Sequence, residues 1–462
     1  MEMESGVERR KRCVVLVAYP FQGHITPMLQ LGQVLHSKGF SIVVAHTQFN
    51  APNPKNHSGF AFHGLADGIQ ASEMAVSGTR LKNVHAMNEN CKVPLQDFLE
   101  EKRDLISCVI YDNAMFFVDH VVTLLNVPSI VFRPFNAVFL AAFLHILEHE
   151  GTISLLPESR LQDSIPELHP VRYQDIPFHN ISEEVRNFIS KASKTRSSMA
   201  VIWNTVEDLE ETWLSRFQQH YKVPIFSIGP LHKTALTGRT SLIEEDGSCL
   251  AWLDKQVPQS VLFVSASGSL GAISERDFTE IAWGLANSNQ PFLWAVRPGS
   301  AIGKKEEIRE ELERIVGNRG RIVKWAPQKD VLAHDSVGGF WSHCGWNSTL
   351  EGLGEGIPMI CRPLNADQFV NAKLLVHEWK VGLALEEVER SVIAEIVRKL
   401  MIGDERKELK KNAMEMKQKL VDCLQKGGSS YKALDELTHF ISSLPQPTSR
   451  NCDKGTNRSE QS

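Results

Sequence analysis

Residues 13–47 read CVVLVAYPFQGHITPMLQLGQVLHSKGFSIVVAHT. CVVLVAYP is a continuous apolar run, read as a strand, and FQGH is the loop after it. The spacing of Met28, Leu29, Leu31, Val34 and Leu35 predicts a helix from Thr26, stopped by Ser37-Lys38-Gly39. FSIVVAH supplies the next strand. A strand that is apolar throughout has both faces covered, which is the pattern of a parallel sheet in an α/β protein.

The unit recurs on both sides of a polar break. SCVIYD (107–112), SIVFRP (129–134), IWNTV (202–206) and IFSIGP (225–230) read as further strands of a first lobe. Between Leu231 and Gly247 the apolar signal fades, which predicts a linker. A second series follows: VLFVSAS from Val261, a helix from Ser274, FLWAVRP, a charged helix from Lys304, RIVKWAP, VGGFWSHCG, a helix from Asn347, MICRP and a helix from Asp367. The expectation is two doubly wound, Rossmann-like α/β domains, residues 1–235 and 248–425, with strand ends facing a shared cleft. Residues 446–462 are polar and read as a disordered tail.

The 462 residues are 42% hydrophobic and 23% charged, ordinary values for a globular chain. Fifty Lys and Arg against 55 Asp and Glu give a net charge of −5, which supplies no general attraction for nucleic acid. None of the eight cysteines forms a C-x-x-C pair, so the chain reads as reduced, therefore cytosolic or nuclear, and a cytoplasmic protein is the expectation. The apolar run from Cys13 to Ala18 is too short for a secretory signal or a membrane span, so stable membrane insertion is not expected. G-x-S-x-G, Walker A, H-E-x-x-H and a G-x-G-x-x-G after the first strand are all missing. No D-x-D pair occurs to hold a metal on a diphosphate. A phosphate here falls to backbone amides, helix N-termini and neutral donors.

Two constellations carry chemistry. His24 follows the first strand and Asp112 ends another strand of the same lobe, at the sheet edge where ligands of open α/β sheets bind. They form a base and its orienting carboxylate, or else two unrelated polar residues at loop starts. The second is Trp325 to Gln368, WAPQKDVLAHDSVGGFWSHCGWNSTLEGLGEGIPMICRPLNADQ. Its first strand-to-helix junction places Asn347 and Ser348 in an opening helical turn with His343 at its mouth, an anion site. Its second delivers Asp367 and Gln368, a carboxylate and an amide suited to neutral hydroxyls. Trp325 can stack on a base, and Glu351 can accept from a ribose.

This 44-residue segment resembles, without a gap, the signature box of the plant secondary-product (family 1) UDP-glycosyltransferases. The Gly-His after the first strand, HTQFNAPNP (46–54), LPESRL (156–161) and GGSSYKALDEL (427–437) are similar as well, most of all to the subgroup with cytokinin and steviol glycoside glucosyltransferases. The resemblance implies a GT-B fold and inverting transfer of glucose from UDP-glucose, a co-substrate, to a hydroxyl, carboxyl or amine of a small lipophilic metabolite. It implies no metal or other cofactor. By it His24 is the catalytic base and Asp112 its partner. Trp325 stacks on uracil, with Ala326 and Gln328 beside it, and Glu351 holds the ribose. Ser269, His343, Asn347 and Ser348 contact the diphosphate, and Trp346, Asp367 and Gln368 the sugar. The segment 426–445 would be a helix returning to the first lobe.

Three positions depart from the family pattern. The run Val264 to Ser269 is one residue longer than usual, Pro134 follows Arg133 where Thr is common, and Leu364-Asn365 stand where an aromatic is usual. Phe21, Met115, Phe116 and Phe135 are the expected acceptor lining. The alternatives are the same fold with another UDP-sugar, or a weak member that only binds nucleotide sugar or metabolite. The sequence assigns no oligomeric state.

Overall fold

Among the described residues thirteen strands form two sheets in which every pairing is parallel. The structure is a computed structural model, and it describes residues 11–69, 80–153, 157–176, 183–195, 197–235, 240–268, 272–297, 299 and 305–445. The tail expected over 446–462 lies outside them. The first sheet contains β1 (Cys13–Val17), β2 (Ser41–Thr47), β3 (Phe60–Leu65), β4 (Ile106–Asp112), β5 (Ser129–Arg133), β6 (Ala200–Trp203) and β7 (Ile225–Ser227), in the order β3-β2-β1-β4-β5-β6-β7. The second contains β8 (Val261–Ser265), β9 (Phe292–Ala295), β10 (Gly320–Val323), β11 (Val337–Ser342), β12 (Met359–Cys361) and β13 (Gly382–Ala384), in the order β10-β9-β8-β11-β12-β13.

The continuous apolar strands are covered on both faces. Val14, Val15, Leu16 and Val17 are fully buried, as are Leu262, Val264, Phe340 and Trp341. In each sheet the chain order reverses beside the first strand, between β1 and β4 and between β8 and β11. Connections leaving two such neighbours pass to opposite sides of the sheet, and a crevice opens between their C-terminal ends. The ends of β1, β4, β8 and β11 therefore border the cleft, and the segments after β5, β10 and β12 line it beside them.

Several boundaries differ from those read in the sequence. The first helix is Gln22–Ser37 and starts four residues before Thr26, because the Phe21 carbonyl already accepts the amides of His24 and Ile25. The helix after β11 starts at Trp346 on Gly345, one residue earlier than expected. β3 and β13 lie at sheet edges, are partly exposed and lack an unbroken apolar run, so periodicity did not reveal them.

The segment read as a linker packs on both lobes. Thr26 Oγ1 donates to the Thr240 carbonyl, the Leu242 amide to Gln22 Oε1, and the Asp246 amide to the Trp325 carbonyl. The helix Ser429–Ser443 lies beside β7, with Leu437 and Ile441 fully buried in the first lobe's core. Phe440 meets Phe226 at 5.6 Å, and Ser430 Oγ donates to the Gly229 carbonyl. No described helix is long and apolar enough to cross a membrane. Seven cysteines are free thiols, and Cys452 lies outside the described residues.

Candidate active site

His24 sits in the first turn of the helix Gln22–Ser37, and Asp112 is the buried last residue of β4. Their strands are neighbours at the first reversal point, so the fold itself brings residues 88 positions apart to 2.8 Å between His24 Nδ1 and Asp112 Oδ2. Asp112 Oδ1 accepts the Ala114 amide, which fixes the carboxylate. With Nδ1–H donating to a carboxylate, Nε2 is the ring's free acceptor. Burial works against charging this imidazole, but the charge and hydrogen bond of Asp112, and then Asp367, outweigh it and hold its pKa above the usual histidine value. The ring still reaches solvent, its side chain being 28% exposed. Tyr19 packs against its edge at 4.9 Å.

His24 opens on a cavity of about 800 Å³ between the lobes. On the second lobe, the helix Trp346–Glu355 points its N-terminus into this space. His343, at the end of β11, is wedged between two glycines. A Cβ on Gly268 would lie 2.5 Å from its Nε2, and one on Gly345 2.7 Å. Gly268 also has a φ of +55°, so both shape and backbone exclude a side chain there. Burial lowers the His343 pKa to about 4, so it enters the site as a neutral imidazole. Ser269 lies outside the described residues.

Deeper on the same side, Gln328 Nε2 donates at 2.7 Å to both Ser348 Oγ and Glu351 Oε2. Burial pushes the Glu351 carboxyl up to about 7, against the pull of that bond and of Lys329. Trp325 Nε1 donates to Ser241 Oγ at 3.0 Å, which orients the indole, and Ala326 lines the wall beside it. Asn347 Nδ2 reaches across the lobes to the Gly23 carbonyl, next to His24.

Asp367 stands before the helix Gln368–Lys373 and accepts from Asn371 Nδ2 at 2.8 Å. Burial raises its pKa, opposed by the Asn371 bond and by His24. Gln368 lines the cavity, but its amide turns back on its own loop. Its Oε1 accepts the Leu364 and Asn365 amides and its Nε2 donates to Asn365 Oδ1. Trp346 likewise spends its indole N–H on the Asn204 carbonyl at 2.7 Å. Pro134 lines the cavity, and the Asn136 amide nearby is bonded to Asn371 rather than free.

The acceptor lining requires a correction. Phe21 and Phe135 face the cavity; Met115 and Phe116 do not. The turn after β4, closed by the Met115 amide on the Asp112 carbonyl, leaves Asn113 and Ala114 at the cavity and carries Met115 into the core, fully buried. Phe116 packs instead near Phe188 and Lys191. Phe139, Phe143 and Phe188 complete the aromatic wall and were missed. The signal was present: residues 135, 139 and 143 recur every fourth position across the start of the helix Ala137–Ile153 and share one face.

Residues 244–422 match the family described as UDP-glucoronosyl and UDP-glucosyl transferase. UDP-glycosyltransferase 76E1 of Solanum lycopersicum is 52% identical over 94% of each chain. The chain belongs to the UDP-glycosyltransferases. A Stevia rebaudiana member, UDP-glycosyltransferase 76H1, is 43% identical over 90% of this chain and all of its own. The flavonol 3-O-glucosyltransferase UGT76E12 of Arabidopsis thaliana is 41% identical over 95% of this chain and 99% of its own. Among solved structures, Os79 from O. sativa in complex with UDP superposes with a TM-score of 0.82 at 25% identity, over 93% of this chain and 100% of that one. Two Rossmann-like sheets facing a cleft are thus the GT-B arrangement of a UDP-glycosyltransferase.

Proposed function

We propose that this glycosyltransferase moves glucose from UDP-glucose, with inversion and without a divalent metal, onto a hydroxyl, carboxyl or amine of a small lipophilic metabolite. One observation carries the reading. The His24–Asp112 pair opens on the same cavity as Asp367 and the N-terminus of the helix Trp346–Glu355. A candidate base, a buried carboxylate and an anion-binding helix end then line one space. The relative named as a flavonol glucosyltransferase supports the sugar and the acceptor class. So does the Phytolacca americana UGT2 structure, complexed with UDP-2fluoro-glucose and pterostilbene, with a TM-score of 0.78 at 26% identity over 95% of this chain and 100% of that one.

In the proposed reaction His24 Nε2 takes the acceptor's proton as the acceptor oxygen attacks the anomeric carbon. The bond from that carbon to the diphosphate oxygen breaks, and its electrons leave on UDP. Asp112 holds the imidazole in the useful tautomer and balances its new charge. The amides opening the helix at Trp346, with Asn347, Ser348 and neutral His343, stabilise the charge growing on the diphosphate. Trp325, Ala326, Gln328 and Glu351 hold the nucleoside, and Asp367 with the Gln368 loop faces the hexose. Phe21, Phe135, Phe139 and Phe143 form the acceptor wall. We assign residues 1–235 to the acceptor domain, 248–425 to the donor domain and 426–445 to the returning helix. A cytoplasmic location is supported by the seven cysteines that are free thiols among the described residues.

Incubating the chain with UDP-glucose, UDP-galactose or UDP-xylose and a panel of phenols tests this. A hexose adduct with equimolar UDP, formed fastest from UDP-glucose and insensitive to EDTA, is expected. Faster transfer of another sugar, or a strict need for Mg²⁺ or Mn²⁺, would overturn the donor or the metal-free part.

A further inference from the structure

Asn371 is fully buried in the helix Gln368–Lys373, and its side chain joins three parts of the site. Its Nδ2 donates at 2.8 Å to the Cys344 carbonyl, between His343 and Gly345, and at 2.8 Å to Asp367 Oδ2. Both amide protons are then used, and Oδ1, a carbonyl oxygen, is left to accept. The donor it finds is Asn136 Nδ2 of the other lobe, at 2.6 Å. Asn136 is itself fully buried, and its Oδ1 accepts the Phe139 amide at the start of the helix Ala137–Ile153. That helix carries the aromatic wall of the cavity. The relay therefore runs from the acceptor wall through Asn136 and Asn371 to Asp367 and to the turn after β11. Each amide has one workable orientation, because flipping either would set donor against donor and acceptor against acceptor between fully buried side chains.

We propose that Asn136 and Asn371 are positioning residues: they hold Asp367 against the donor hexose and couple its placement to the acceptor wall across the lobes. This rests on the assignment of Asp367 to the sugar. Neither residue touches the reacting atoms, and the nucleoside end of the cleft has its own bonds through Gln328, Ser348 and Glu351. The relay should thus govern use of the sugar and leave UDP binding alone.

Asn136→Asp isolates the relay. One carboxylate oxygen keeps the bond to the Phe139 amide, and the other meets Asn371 Oδ1 with no proton to offer. The expected result is a fall of ~10–100-fold in kcat/KM for UDP-glucose, with UDP affinity by calorimetry within ~2-fold of wild type, since a lost bond that leaves a buried acceptor unpaired has that scale. A double-mutant cycle with Asp367→Asn separates positioning from mere folding. If the relay acts through Asp367, adding Asn136→Asp to Asp367→Asn should cost less than ~3-fold more. A full, multiplicative loss in the double variant, a parallel loss of UDP affinity, or an Asn136→Asp enzyme as fast as wild type would overturn the proposal. A wild-type chain that transfers galactose or xylose in place of glucose would sink the donor assignment alone; the same cycle read on that sugar still decides the relay.

Discussion

His24 is under two opposed pressures: burial disfavours its charged form, and Asp112 and Asp367 favour it more. His24→Ala should lower transfer to an alcohol acceptor by ~10²–10⁴-fold, the range of a positioned base, with UDP affinity nearly unchanged. Turnover close to wild type would remove His24 from the chemistry. The pH dependence has a definite sign. As the proposed base, His24 would work unprotonated, and its pKa is raised, so kcat/KM should fall with acid through a midpoint above the ordinary histidine value of ~6.5. Asp112→Asn removes the main raising partner and should move that midpoint down while slowing the reaction. A midpoint that stays in place in this variant would mean another group titrates. The two residues were legible in the sequence because strand ends of an α/β sheet meet at its reversal point. Asn136 and Asn371 were not, since a buried amide far along the chain leaves no local pattern.

In the proposed reading the helix Trp346–Glu355 would bind UDP through its end and through one face, where Ser348 and Glu351 lie three residues apart. Glu351→Ala should weaken UDP by about tenfold, the worth of one charge-assisted hydrogen bond, as read by calorimetry. Asp367→Ala should do the opposite, lowering kcat/KM for UDP-glucose ~10-fold or more and sparing UDP. Equal loss of UDP affinity in both variants would mean that Asp367 supports the fold and not the sugar. On the acceptor side, Phe143→Ala shortens the wall built with Phe135 and Phe139. It should raise KM for a large flat acceptor more than for phenol itself; equal effects on both would place the ring outside the acceptor path. At this scale the sequence read helices and buried strands well. It misplaced the start of the first helix, whose opening turn carries polar Gln22, Gly23 and His24, and it put Met115 and Phe116 on the wrong side of a turn.

For the molecule as a whole, two reversal points set face to face make one cleft, and the helix Ser429–Ser443 packs back on the first sheet. Leu437 is fully buried there. Leu437→Ala should cost about 2–5 kcal/mol by denaturant unfolding, the range for a buried leucine that leaves a cavity. A loss under about 0.5 kcal/mol would show that the helix adds little to the first lobe. The two-lobed α/β plan was readable because unbroken apolar strands and a polar break at 231–247 are long-range signals repeated many times over. The edge strands β3 and β13 carry no such repetition. The central claim concerns the whole cleft: a base on one lobe delivers an acceptor to the face of the sugar opposite a diphosphate held by the other. Proton NMR of the product made from UDP-glucose and a simple phenol tests it most directly, because the donor's anomeric centre is α. The account predicts a β-glucoside formed in step with UDP; an α-glucoside, or free glucose released without an adduct, would contradict it.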